Sequence, residues 1–232
     1  MSRIVMLFPV FQVLLFLAGL HISRRREPGQ TDIRLPLPIR IILSLSLLLV
    51  AYLINLEHES PYTAWVFGGM VLSFLGDLTM AEIIKVPNRL IGGMSVFACA
   101  HVLYLVAFIK TLNAEGHFPF GILAMALVIY SLMISLSWRK LIPDPGQKKA
   151  LYYGGLSYGL WIGVMASFAL ALAVTLGGTW WMVAAGALLF AISDSIIGVT
   201  KIGNITLKYS EIWVWLTYVA GQAGIIYAGW FY

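Results

Sequence analysis

Charge is scarce in this chain of 232 residues: Asp, Glu, Lys and Arg make up 11% of it. A water-soluble domain carries roughly 25%, so there is too little charge here to cover a soluble surface. Disorder is excluded as well, because 60% of the residues are hydrophobic and the mean hydropathy is +0.89. Cysteine is nearly absent; the lone Cys99 cannot form an intramolecular bridge. The 22 glycines follow no period, which excludes a collagen-like chain. The G-x-S-x-G match at Gly155 to Gly159 lies inside an apolar run and not at the strand-to-helix turn that a nucleophile elbow requires, and no H-E-x-x-H element occurs. Three of the four histidines, His21, His58 and His117, fall at helix ends or loops, leaving only His101 inside an apolar run, so neither a metal nor another cofactor is expected. Alternating strands of about ten residues, the mark of a membrane β-barrel, are also missing. What is abundant is long apolar runs, and they make this an integral membrane protein.

A spanning helix needs about 20 mostly apolar residues. Eight runs meet that need, at about 4–22, 38–56, 62–81, 91–110, 118–137, 152–176, 179–200 and 210–231. Between them lie charges and breakers: Arg24-Arg25-Arg26 with Pro28-Gly29, Glu57-His58-Glu59, Pro87-Asn88-Arg89, and Pro143-Asp144-Pro145-Gly146. The first run has no small-residue cleavage site before its arginines and is read as a helix, not a signal peptide. The expected fold is all-α: one polytopic bundle of eight transmembrane helices over residues 1–232.

Thirteen of the 15 Lys and Arg residues fall in the connections 1–2, 3–4, 5–6 and 7–8, against Arg3 and Lys110 on the other side. The positive-inside rule places those connections in the cytoplasm and both termini outside it. The net charge of +5 is then a rim facing anionic lipid headgroups, and nucleic acid is not expected as a partner. The short loops favour a bacterial inner membrane over an endoplasmic reticulum. The oligomeric state is not legible.

Two carboxylates break the apolar runs. Asp77 lies in the third span and Asp194 in the seventh. A charge at the bilayer centre costs at least ~2.5 kcal/mol, so such groups face a bundle interior and commonly serve a function; the plainer reading is a protonated Asp that ties helices together. The settings of the two match. Gly69, Leu72, Gly76 and Asp77 read G-x-x-L-x-x-x-G-D, and Gly186, Leu189, Ser193 and Asp194 read G-x-x-L-x-x-x-S-D. Recurrence four spans later points to a four-plus-four parallel repeat. From Asp77 to Lys85 is about 12 Å of helical rise, which puts both carboxylates in the cytoplasmic half of the bilayer.

Further polar side chains fall on faces that can meet them. His101 and Tyr104 stand at i, i+3 in the fourth span, with Phe97 one turn earlier. Glu211, Trp215, Tyr218 and Gln222 form one stripe in the eighth, and Tyr158, Trp161 and Met165 share a face of the sixth. Ser73 is one turn before Asp77, in position to hydrogen-bond to it. Core packing is the plain alternative for the histidine and the aromatics. Gly68-Gly69, Gly92-Gly93 and Gly154-Gly155 are expected to permit close helix approach.

Two carboxyl groups in a low-dielectric site tend to share a proton, leaving one as general acid and the other as general base near neutral pH. That pairing suits hydrolysis of an acid-labile bond by an activated water. An intramembrane aspartyl protease also uses two aspartates, and Gly76-Asp77 is superficially like its glycine-aspartate element, but the companion Tyr-Asp and Pro-Ala-Leu elements are missing.

The segment from Val66 to Ile109, with Phe67-Gly68, Ser73, Gly76-Asp77, Gly93-Met94, Phe97 and Ala100-His101-x-x-Tyr104, resembles the YhhN-type lysoplasmalogenase family of membrane proteins. Gly186 to Phe190 leading into Ser193-Asp194-Ser195, then Thr217-Tyr218 and Gln222, and Tyr158-Gly159-Leu160 with Met165, resemble it too. The resemblance implies an eight-helix bundle that hydrolyses the vinyl ether bond of lysoplasmalogens to a fatty aldehyde and a glycerophospho-alcohol, with a lysophospholipid as the partner. On this reading Asp77 and Asp194 are catalytic, with acid and base roles open between them. Ser73, His101, Tyr104, Tyr158, Ser193, Tyr218 and Gln222 position the water or the glycerol backbone, and Lys85, Arg89 or Lys201 holds the phosphate. The rival classes are a lipid-binding or transport protein with proton-binding carboxylates, and a hydrolase of another lysolipid.

Overall fold

The computed structural model describes residues 2–26, 33–114, 116, 118–142 and 149–232. The expected breakers Pro28-Gly29 and Pro143 to Gly146, and also Lys148 and His117, lie outside the described residues. Each apolar run carries one long helix: α1 Phe8–Arg26, α2 Leu37–Glu57, α3 Pro61–Met80, α4 Arg89–Ala114, α5 Phe120–Leu141, α6 Lys149–Leu176, α7 Trp180–Ile197 and α8 Ser210–Phe231. A single turn, Ser2–Val5, precedes them, and no strand occurs among the described residues.

Local chemistry fixes where the helices begin. Helix α1 starts later than its apolar run suggests, because the chain breaks at Met6-Leu7 and resumes with Pro9 in the first turn, where a missing N–H is harmless. Pro38 serves α2 in the same way. Helix α3 opens on a capping box: Ser60 Oγ accepts from the Thr63 amide at 3.2 Å while Thr63 Oγ1 accepts from the Ser60 amide at 3.1 Å. Asn88 Oδ1 takes the amides of Leu90 and Ile91 at 3.0 and 3.2 Å and so caps α4. At its far end α7 widens into a π-helical turn, Gly198–Ile202.

Six helices, α2 to α7, are long and apolar enough to cross a membrane. Helix α1 falls short because Gln12, His21 and its terminal arginines dilute it, and α8 because Glu211, Thr217 and Gln222 do the same. The apolar count of eight runs is therefore matched by eight helices, of which six are hydrophobic enough to be spans on composition alone.

Helix α3 lies against α2, α4 and α8; α7 lies against α6 and α8; and α4 also meets α6. Helices α1 and α5 are peripheral, packed on α2 and α6. Their outward faces, with Val13, Leu14 and Leu17 on one and Leu132, Met133 and Leu136 on the other, are exposed and apolar, as a lipid-facing surface must be. In lipid there is no hydrophobic drive between helices, so close packing and cross-helix hydrogen bonds must hold them. Backbone meets backbone where α7 packs on α8: a Cβ built on Gly186 would stand 2.6 Å from the Gly221 carbonyl oxygen, and one on Gly221 would stand 2.8 Å from that of Gly186. Gly69 leaves room for the Tyr104 ring, and Gly155 for Trp138. Gly154, expected at a helix contact, faces open space instead, because the α6 surface it sits on is exposed. Tyr62 donates to the Ile225 carbonyl at 2.7 Å, Gln12 to Ser46 at 3.0 Å and the Trp161 indole to the Ala98 carbonyl at 3.1 Å, tying α3 to α8, α1 to α2 and α6 to α4.

Candidate active site

Asp77 is in the last turn of α3, with 8% of its surface exposed. Two hydroxyls from other helices donate to it: Ser44 of α2, and Tyr218 of α8 at 2.6 Å. Both converge on Oδ2, which leaves Oδ1 for water or a ligand. Asp194, in the last turn of α7, is less enclosed and accepts from Tyr158 of α6 at 2.5 Å. Each carboxylate is thus held by a tyrosine from another helix, in a setting where an unpaired carboxylate would be costly.

Two cavities adjoin this pair. A polar one of about 460 Å³ is lined by both Asp77 and Asp194 and reaches Arg34, Arg40, Lys201 and Glu211. An apolar one of about 310 Å³ runs between α5, α6 and α7 and is lined by residues such as Met94, Met133, Gly159, Ile162 and Leu188. Asp194 borders both, as do Met80, Leu90 and Phe97. One carboxylate therefore stands where an apolar compartment meets a charged one.

Among the other residues singled out from sequence, Tyr218 and Tyr158 touch the carboxylates directly. Ser73 does not bond to Asp77; its hydroxyl pairs with the Tyr104 hydroxyl at 3.2 Å, because it faces α4 while Asp77 faces α2 and α8. Tyr104 in turn donates to Gln222 Oε1 at 2.8 Å, completing a buried link between α3, α4 and α8. Ser193 lines the polar cavity and donates to the Val214 carbonyl at 3.1 Å. His101 is fully buried and borders neither cavity; its ring stacks on Tyr158 at 5.9 Å and meets Phe190 edge-on at 4.9 Å, with no hydrogen-bond partner on either nitrogen. Among the described residues, no three side chains of His, Cys, Asp or Glu come together.

The expected phosphate cations divide. Lys85 is exposed and borders neither cavity; it lies in the connection between α3 and α4, where Glu82 takes left-handed backbone (φ 61°). Arg89 lines the polar cavity but is paired with Glu82 at 2.7 Å. Lys201 lines it too, carried by the π-helical turn. Sequence reasoning passed over Ser44 and Arg40, and it placed Glu211 on the α8 stripe without a partner. The spacing of Arg40 and Ser44, four residues apart on one face of α2, was the signal that could have found them.

Apolar helices, exposed apolar peripheral faces and two carboxylates bordering one polar cavity define a multi-pass membrane protein with a polar site inside its helical bundle. The chain belongs to the YhhN family, whose pattern matches residues 37–229. It is similar to lysoplasmalogenase TMEM86B of Sus scrofa, 31% identical over 174 residues that make up 75% of this chain and 67% of that protein. Lysoplasmalogenase TMEM86B of Homo sapiens is 28% identical over 178 residues, 76% of this chain and 68% of the relative. No solved structure matches.

Proposed function

We propose that this protein is an intramembrane hydrolase that cleaves the vinyl ether bond of a lysoplasmalogen, giving a fatty aldehyde and a glycerophospho-alcohol. The observation that carries the reading is the position of Asp194 on the border of an apolar and a polar cavity, with Asp77 in the polar one. A lysoplasmalogen has the same division, with its reactive carbons at the junction of tail and headgroup. Membership of the YhhN family and the two relatives named lysoplasmalogenase support it.

The chemistry starts with proton transfer from one carboxylic acid to the β-carbon of the vinyl ether, which turns the C=C–O unit into an oxocarbenium ion. The second carboxylate, ionised, stabilises that cation and takes a proton from the water that adds to C1. The resulting hemiacetal collapses when the glycerol oxygen receives a proton and leaves, so one water is consumed and the aldehyde and alcohol are released. Asp77 and Asp194 fill these two roles, with Tyr218, Ser44 and Tyr158 holding them in place.

In this reading the chain crosses the membrane eight times, with α3 and α7 as counterparts in a four-plus-four arrangement and the basic end of the bundle in the cytoplasm of a bacterial cell. The test is aldehyde release from a 1-alkenyl lysophospholipid by purified protein. Asp77→Asn and Asp194→Asn should each lower turnover by at least ~10² while leaving the fold intact. Near-parental activity in both variants would remove the assignment, and lysolipid binding with no aldehyde from the parent protein would make it a lipid-binding protein.

A further inference from the structure

At the mouth of the polar cavity one carboxylate faces three cations. Glu211, in the first turn of α8, stands 3.9 Å from Arg34 Nε, 3.9 Å from Arg40 Nη1 and 3.8 Å from Lys201 Nζ. These separations exceed hydrogen-bond length, so Glu211 gathers the cations by charge alone. The Glu211 side chain is only 19% exposed and that of Arg40 27%. Arg40 Nε is buried with no hydrogen-bond partner, an N–H donor for which the protein provides no acceptor. The three cations come from separate parts of the chain: the segment before α2, α2 itself, and the π-helical turn after α7. Such a turn inside a helix commonly marks a functional position, and this one carries Lys201 to the cavity lining.

We infer that Arg40 and Lys201, gathered by Glu211 with Arg34 beside them, form a recognition site for the phosphodiester anion of a lysophospholipid headgroup. The inference takes the identity of the ligand from the proposed function, but the cluster itself stands on geometry. Arg40 and Ser44 are one helical turn apart on α2, and Ser44 donates to Asp77. An anion held at Arg40 is thereby placed about one turn, ~5 Å, from the carboxylate end of the same cavity. A guanidinium presents several N–H donors to a phosphate at once, which suits Arg40 to an oxyanion, while Lys201 adds a point charge. Arg89, already bonded to Glu82 at 2.7 Å, is not needed for the site.

The test is equilibrium binding, read by tryptophan fluorescence because Trp215 lines the same cavity. The probes are a 1-O-alkyl lysophosphatidylethanolamine, which has no vinyl ether to cleave, and the 1-O-alkylglycerol with the same tail and no phosphate. The full-length protein in detergent should bind the phospholipid about tenfold or more tightly than the alkylglycerol. Arg40→Gln and Lys201→Gln should each weaken the phospholipid about tenfold or more, as loss of a charge-assisted bond does, and leave the alkylglycerol within twofold. Arg40→Lys should recover part of the loss. Lys140→Gln, which removes a charge from the exposed end of α5, should change neither. Equal binding of the two probes by the parent protein, or parental phospholipid binding by both Lys201→Gln and Arg40→Gln, would overturn the site. Inorganic phosphate that displaces the lipid at micromolar concentration would reassign it to free phosphate. Because no bond is broken in this experiment, its outcome is separate from aldehyde release: discrimination by phosphate without hydrolysis keeps the site and removes the hydrolase reading, and hydrolysis without discrimination does the reverse.

Discussion

Replacing Tyr218 by Phe removes one oxygen and little else. The ring sits among Phe97, Phe190 and Trp215, with centroids 6.1, 5.6 and 5.6 Å away, and a phenylalanine keeps those contacts. What is lost is the 2.6 Å bond to Asp77 Oδ2. Asp77 is 8% exposed, so water has little room to take the place of the hydroxyl, and Ser44 is left as the remaining side-chain donor. A hydrogen bond to a charged group contributes about 1.5–3 kcal/mol. If Asp77 is ionised when the barrier is crossed, Tyr218→Phe should slow turnover by roughly 10- to 10²-fold. Tyr158→Phe makes the same deletion at Asp194, but Asp194 borders both cavities and can recruit water, so its loss should be only a few-fold. The assay is the initial rate of aldehyde release at saturating and at low substrate for the parent protein and both variants. Parental turnover in Tyr218→Phe, or a greater loss in Tyr158→Phe than in Tyr218→Phe, would refute the reasoning.

Gly221→Ala places a Cβ 2.8 Å from the Gly186 carbonyl oxygen and 2.9 Å from the Phe190 nitrogen, so α7 and α8 must separate; a loss of ~1–3 kcal/mol should appear as a lower melting midpoint in detergent, with no such drop in Gly154→Ala, where nothing lies within 4 Å. Lys85→Ala should leave turnover and KM within twofold, because Lys85 borders neither cavity; a tenfold rise in KM would bring it back as a headgroup residue. Ala191→Phe fills part of the apolar cavity that Ala191 lines, and should raise KM for long alkenyl chains more than for short ones.

The helices were legible because a bilayer demands long apolar runs: each of the eight runs carries a helix, though α1 and α8 are too dilute to qualify as spans on composition. The two aspartates were legible for the same reason, since a carboxylate in such a run has few plain explanations. Their partners were harder. That Tyr218 meets Asp77 follows from the rotation of α8 against α3, which the stripe of Glu211, Trp215, Tyr218 and Gln222 indicates but does not fix. Ser73 is one turn from Asp77 in sequence, yet the azimuth between them sends one towards Tyr104 and the other towards Tyr218. Charge was the least legible property of the site. Counting cations along the chain suggested Lys85, Arg89 and Lys201, of which Arg89 and Lys201 line the polar cavity and Lys85 does not; Arg40 lines it from the first turns of α2, and Arg34 from a packed segment before α2, where Leu35 is 1% exposed and the Arg34 carbonyl accepts from Ser23 at 2.6 Å. A connection between helices reveals its path only when packed.

The proton that opens the vinyl ether gives the most direct test of the proposed hydrolysis. Purified protein and a 1-alkenyl lysophospholipid are incubated in D2O, and the aldehyde is trapped at once and examined by mass spectrometry, with Asp77→Asn and Asp194→Asn alongside. Carboxyl-mediated protonation of the β-carbon predicts an aldehyde carrying one deuterium at C2, and little or no product from either variant. Aldehyde without deuterium, or equal yields from the parent and both variants, would contradict it.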